Sequence, residues 1–435
     1  MNRIFKLAAV VLAATSLQGN ASAQGFYKDI FMDGGINVTS RQDLPASRFL
    51  GLSIEAYYSA KHSPMQLTMK DTIEQTTKMV HSDIDENGCL LYPDGAPRFR
   101  MIYMNGGRAK SHGRSLTPAG RQHIRDFVAN GGSYVGTCAG AFLASMKASS
   151  QKTVDYVEEY FRFYPAVAHS SGLDADSTGM RLPATSPLLK YYDFGGDNYI
   201  ADVYHNGGCY LIENDPVYFA PGTEVLCYYD FPEGDKKRAE EGLEPLTGKV
   251  SGWAYVPSKT SGRIVVLGSH PEGVNFGERL EMMSAMCRYA IDGNAAPKVK
   301  AELKKGEVRQ MTKDTKDNDP AFTKIGDKQY HHFVVNIPKG AKNVKVKLFT
   351  TKDYIDFNLA MNKDDFAFTK TAKFKNVTLG GSKTLEVGNI EAGKWYIGVE
   401  CATTVDEIPT DYGTAYAGKL EVLNGIPYTI QVSWE

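Results

Sequence analysis

The stretch Tyr134-Val135-Gly136-Thr137-Cys138-Ala139-Gly140-Ala141 sets a cysteine between two glycines in the pattern Gly-x-Cys-x-Gly. Glycines two positions either side of a nucleophile let a buried strand turn sharply into a closely packed helix. The side chain at the apex then stands at the carboxyl end of the sheet. The first N–H groups of the new helix face an oxyanion, and the helix dipole favours a thiolate. Cys138 is therefore a candidate nucleophile, and a thiolate nucleophile needs a base and an orienter for that base. His270, in Gly268-Ser269-His270-Pro271-Glu272, follows the apolar run Gly262–Gly268 and falls at the same sheet edge. Glu272 is close enough in sequence to hold one imidazole nitrogen and to stabilise the imidazolium. The N–H of Ala139 is one expected oxyanion donor. The turn Asn105-Gly106-Gly107 offers a second, because glycine lets the backbone approach a ligand closely. Together these groups suit acyl transfer through a thioester.

Such a site needs parallel strands ending side by side. Residues 24–296 alternate strand and helix signals. Phe99–Met104 reads as a short strand. A helix is expected from Thr117 as N-cap with Pro118 at its first position, ending at Gly131. Ser133–Thr137 and Gly262–Gly268 read as buried strands, and Gly277–Ile291 as a helix. This predicts a flavodoxin-like, doubly wound α/β sheet with its site at the carboxyl ends of the strands. Residues 297–320 are rich in Lys, Asp and Glu and read as a linker. Residues 321–435 then carry short alternating strands at Tyr330–Ile337, Val344–Thr350, Thr384–Val387, Lys394–Glu400 and Ile426–Trp434, which predicts a separate all-β sandwich domain.

Gly136-Thr137-Cys138-Ala139-Gly140 followed by His270-Pro271-Glu272 resembles the class I glutamine amidotransferase-like superfamily with its Cys-His-Glu triad. The run from Asn105-Gly106-Gly107 through Phe127–Ala141 is similar to the branch named for the biotin-protein ligase N-terminal domain. The resemblance implies Cys138 as nucleophile, His270 as base and Glu272 as orienter. Glutaminases of that superfamily carry Gln two residues after the second elbow glycine, whereas this chain has Ala141-Phe142. No Walker-type phosphate loop is present either. Hydrolysis of an amide or peptide bond is therefore expected, with no cofactor required. The C-terminal region resembles the pre-peptidase C-terminal β-sandwich, through Asp353–Leu359, Gly393–Val399 and Tyr428–Val432. It implies contact with a cell-surface or extracellular polymer.

The chain has 435 residues, 42% of them hydrophobic and 23% charged, with a net charge of −1. No global field points to nucleic acid. Arg3 and Lys6, the apolar run Leu7–Ala14 and Ala21-Ser22-Ala23 have the order of a secretory signal over residues 1–23, implying a secreted or periplasmic protein. No later run is long enough to span a bilayer. Of six cysteines, a Cys89–Cys209 pair is conceivable, and Cys227 and Cys287 read as buried thiols. Asp83, Asp85, Asn87 and Asp94 stand at calcium-loop spacing around Gly88, which admits a structural Ca²⁺ beside the alternative of a solvated turn. His205 and Asn206, in His-Asn-Gly-Gly, are expected near the substrate pocket. His112 could reach the site but is expected at the surface, and Glu55 is expected either at the site or exposed. Tyrosines 156, 160, 164, 191 and 192 could line a cleft or pack a core. Two other functions fit the motifs: a non-catalytic binding protein on the same fold, and an acyl or amino-group transferase.

Overall fold

The computed structural model describes residues 25–34, 43–58, 90–150, 153–213, 219–294, 296–315, 318–410 and 413–435. The expected signal segment, Asp83, Asp85, Asn87 and Cys89 lie outside the described residues. The elements in chain order begin with β1 (Lys28–Gly34), α1 (Pro45–Leu50), β2 (Ile54–Tyr58), β3 (Phe99–Met104), α2 (Ala109–Ser115), α3 (Thr117–Ala129), β4 (Ser133–Thr137) and α4 (Ala139–Ala144). Then come β5 (Ser145–Ser150), β6 (Thr153–Tyr156), β7 (Tyr164–Ser170), β8 (Asp176–Arg181), β9 (Tyr199–His205), β10 (Cys209–Tyr210), β11 (Glu224–Asp230), α5 (Pro232–Glu240), β12 (Val250–Tyr255), β13 (Ile264–Leu267) and α6 (Gly277–Asp292). The remainder is β14 (Val299–Glu302), β15 (Val308–Met311), β16 (Tyr330–Ile337), β17 (Val344–Phe349), β18 (Phe357–Lys363), β19 (Phe374–Asn376), β20 (Lys383–Gly388), β21 (Gly393–Cys401), β22 (Asp406–Thr410), β23 (Gly413–Ala417) and β24 (Tyr428–Ser433).

The result is a mixed α/β fold with large sheets and few helices. An eleven-stranded sheet runs β22-β23-β2-β1-β3-β4-β13-β12-β11-β8-β9. Its segment β2-β1-β3-β4-β13 is parallel throughout. Period-two alternation gives this sheet two apolar faces. Phe31, Ile102, Tyr134, Ile264 and Val266 join one buried cluster. Ile30, Met101, Tyr103, Val135, Val265 and Leu267 join another, with the inner face of α6. A sheet covered on both sides explains why β13 is apolar at every position and why β4 is buried along its whole length. Thr117 does not cap its helix by a side-chain bond. It takes φ 63° and marks a sharp break between α2 and α3.

Two sheets come wholly from residues after 296: β14-β16-β21-β18-β19 and β15-β24-β17-β20. They bury alternate residues, with Phe357 and Tyr428 meeting at 5.6 Å between ring centroids. The stretch 297–320, expected as a linker, supplies β14 to one sheet and β15 to the other. Both are edge strands of only four residues with half of their side chains exposed, so their sequence gives little signal against the charged residues around them. The C-terminal strands are also not insulated from the rest. The β22–β23 hairpin joins the eleven-stranded sheet beside β2, and one apolar cluster runs from Phe99 and Phe127 to Phe333 and Trp395. Arg98 forms a fully buried ion pair with Asp327 at 2.9 Å. No helix among the described residues is long and apolar enough to cross a membrane.

Candidate active site

Three adjacent parallel strands, β3, β4 and β13, deliver three loops to one edge. β3 ends in Asn105-Gly106-Gly107, β4 in Cys138, and β13 leads to His270. Cys138 is a strained turn residue with φ 49° and ψ −105°, a region L side chains rarely occupy. Its N–H donates to Leu267 O at 2.8 Å, while its carbonyl accepts from the N–H groups of Ala141 and Phe142. Gly140 makes this turn possible: a Cβ there would lie 2.2 Å from Met104 O. Only a bare backbone lets α4 sit that close to β3.

The imidazole of His270 interacts with Cys138, and its Nδ1 lies 2.8 Å from Glu272 Oε1. Burial works against a charge on this ring. The interactions with Cys138 and Glu272 outweigh it and raise the His270 pKa to about 10. The ring is held from two further sides. His270 N–H donates to Tyr204 O at 2.8 Å, and the Tyr204 ring leans on it at 5.6 Å. Gly106 lies flat against it, since a Cβ at 106 would meet His270 Cε1 at 2.2 Å. The structure thus brings Cys138, His270, Glu272, Gly106, Gly107 and Ala139 to one sheet edge.

Cys138 is 5% exposed and opens onto a cleft of about 420 Å³. The cleft is lined by Gly107, Arg108, Lys110, Phe142, Tyr160 and Asn206, among others. Asn206 takes part through its backbone: its carbonyl lies 3.5 Å from Cys138 Sγ and accepts the thiol hydrogen. No side-chain pattern announces such a contact. Arg108 and Lys110 follow the Gly106-Gly107 turn directly, and that adjacency was the only sequence signal for them.

His205, expected to touch substrate, is fully buried and does not line the cleft. Its Nε2 pairs with Ser171 Oγ at 2.8 Å and its Nδ1 with Ser269 Oγ at 2.7 Å. Burial, with the neighbouring His270 adding to it, lowers its pKa to about 4, so it is a neutral tie between β9 and the His270 loop. A Cβ on Gly208 would lie 1.7 Å from Gly268 O, and this backbone contact is what draws the His-Asn-Gly-Gly loop onto the site. His112 is fully buried on α2 rather than exposed. Glu55 is buried too and meets Lys28 at 3.1 Å, at the amino ends of β1 and β2, away from the site. Of the tyrosines, Tyr160 lines the cleft, Tyr164 packs on Trp253, and Tyr191 bonds Asp292. Asp94 pairs with Lys300 at 2.5 Å and accepts from Gln329 at 2.8 Å. No cluster of three or more metal-binding side chains occurs among the described residues.

The family model described as biotin-protein ligase, N terminal, matches residues 90–312. Among solved structures, the chain is similar to a glutamine amidotransferase at 14% identity, covering 44% of this chain and 79% of that one, with a TM-score of 0.28. It is also similar to the pre-peptidase C-terminal domain of a collagenase from Bacillus anthracis. That match has 13% identity and a TM-score of 0.20, and covers 32% of this chain and all of that one. No curated protein matches it.

Proposed function

The chain belongs to the biotin-protein ligase N-terminal family, and from the geometry at Cys138 we propose that it is a cysteine-dependent hydrolase of amide or peptide bonds. The observation that carries this reading is the relay Cys138–His270–Glu272 at the ends of adjacent parallel strands. We read β2-β1-β3-β4-β13 as a flavodoxin-like, doubly wound core with a nucleophile elbow. Residues 1–23 would direct export, 24–296 would form the catalytic unit, and the strands after 296 would form a β-sandwich that holds an extracellular polymer.

In the reaction, the Cys138 thiol leaves the Asn206 carbonyl and gives its proton to His270, so that a thiolate stands beside an imidazolium, and Glu272 keeps the charged ring in place. The sulfur attacks the carbonyl carbon. An S–C bond forms and the carbonyl π electrons move to oxygen. The N–H groups of Ala139 and of the Gly106/Gly107 turn receive that oxyanion. The C–N bond then breaks as His270 gives its proton to the leaving amine. Water attacks the thioester with His270 taking its proton, and the S–C bond breaks to restore the cysteine. Only protein groups and water are used.

Iodoacetamide labelling across pH, with the modified cysteine located by mass spectrometry, tests the relay. Cys138 should label quickly below about pH 8, where an ordinary thiol of pKa about 8.5 reacts slowly. His270→Ala should slow it by roughly 10²-fold or more. A peptide and amide library then reads turnover. Labelling no faster than a free thiol, and indifferent to His270, would leave a binding protein. Turnover that needs a second acceptor would mark a transferase.

A further inference from the structure

The cleft at Cys138 carries an uneven charge. Arg108 and Lys110 line it and are exposed, and no carboxylate is among the lining residues. Since the whole chain has a net charge of −1, this field is local to the cleft. Glu159 stands nearby, but its Oε1 is bonded to Arg114 at 2.9 Å and it draws Lys110 only electrostatically. Arg108 forms no ion pair among the described residues. The rest of the wall includes Phe142 and Tyr160, with polar groups at Ser111, Ser170 and Asn206. A cleft of about 420 Å³ is in the range that encloses a small ligand, about 300–1,000 Å³, so one or two residues of a peptide fill it. Any group seated against the sulfur therefore lies close to both cations.

We infer that the cleft selects amide or peptide substrates carrying a carboxylate beside the scissile bond, with Arg108 as the specificity-determining residue and Lys110 supporting it. This rests on the hydrolase reading above. The chemistry matches: a guanidinium binds a carboxylate through two parallel N–H···O bonds. The neutral amide analogue of the same shape forfeits that pairing.

Two measurements separate the charge selection from the hydrolysis. The first compares the rates at which iodoacetate and iodoacetamide label Cys138 in the full chain. These reagents are close in size and differ in charge. The anion-to-neutral rate ratio should fall several-fold in Arg108→Ala, fall less in Lys110→Ala, and drop furthest in Arg108→Glu. It should also fall in wild type at about 1 M salt, where the Debye length is about 3 Å. The second compares kcat/KM for peptide pairs that differ only by Asp against Asn, or Glu against Gln, beside the scissile bond. A preference of roughly tenfold for the acid should move towards unity in Arg108→Ala. A labelling ratio identical in wild type and all three variants overturns the inference, as does a Cys138 that neither reagent reaches. Charge-selective labelling without turnover of any pair keeps the selection and sinks the hydrolase. Equal turnover of acidic and neutral pairs, unchanged by Arg108→Ala, does the opposite.

Discussion

Burial and two partner side chains pull His270 in opposite directions, and the partners win, lifting it to about 10 from 6.5. The folded state therefore holds this proton more tightly than the unfolded chain does. The resulting stabilisation is fully present below about pH 6.5 and is lost as pH rises towards 10. The unfolding free energy of wild type minus that of His270→Gln, from urea melts, should therefore shrink steadily across that window. A difference that stays flat there contradicts the charged pair. Cys138, His270 and Glu272 were legible in the sequence because their signals are local: a glycine-framed cysteine and a His-Pro-Glu step. Asn206 O and the burial of His205 were not. The first is a backbone contact, and the second depends on Ser171 and Ser269, which only the fold brings to the ring.

Gly140 and Gly106 sit at the ends of their elements for different reasons, and substitution should separate them. At 140 a Cβ meets the rigid carbonyl of Met104, so Gly140→Ala should push α4 off β3 and cost about 1–3 kcal/mol, read as a lowered urea midpoint. At 106 the obstacle is the His270 ring, so Gly106→Ala should displace the imidazole and slow Cys138 labelling by more than its stability loss explains. Equal effects of both on labelling and midpoint would contradict the division. The same contrast governs which strands could be read. β3, β13 and β17 carry legible apolar patterns because at least one face is buried. β14 and β15 are four-residue edge strands, half of whose side chains are exposed, and the charged sequence around them hides them.

Arg98 and Asp327 tie the two halves of the molecule together inside a continuous core. Removing one partner strands a buried charge, so Asp327→Ala should cost about 3–5 kcal/mol, read in urea melts. If the halves are coupled as the core implies, the fluorescence of Trp253, before residue 296, and of Trp395, after it, should move to lower urea together. Separate transitions, with only Trp395 shifted, would show two independent units. The β22–β23 hairpin adds a constraint of timing. Among the described residues, β2 pairs with β23 at Tyr57 and Gly413. During synthesis, then, this pairing in the sheet that carries the thiol cannot form until Gly413 has left the ribosome. Contacts this distant in sequence form slowly, and an open strand flank invites pairing with other nascent copies. A chain built this way depends on whatever shields it during those seconds at least as much as on the interactions it finally makes.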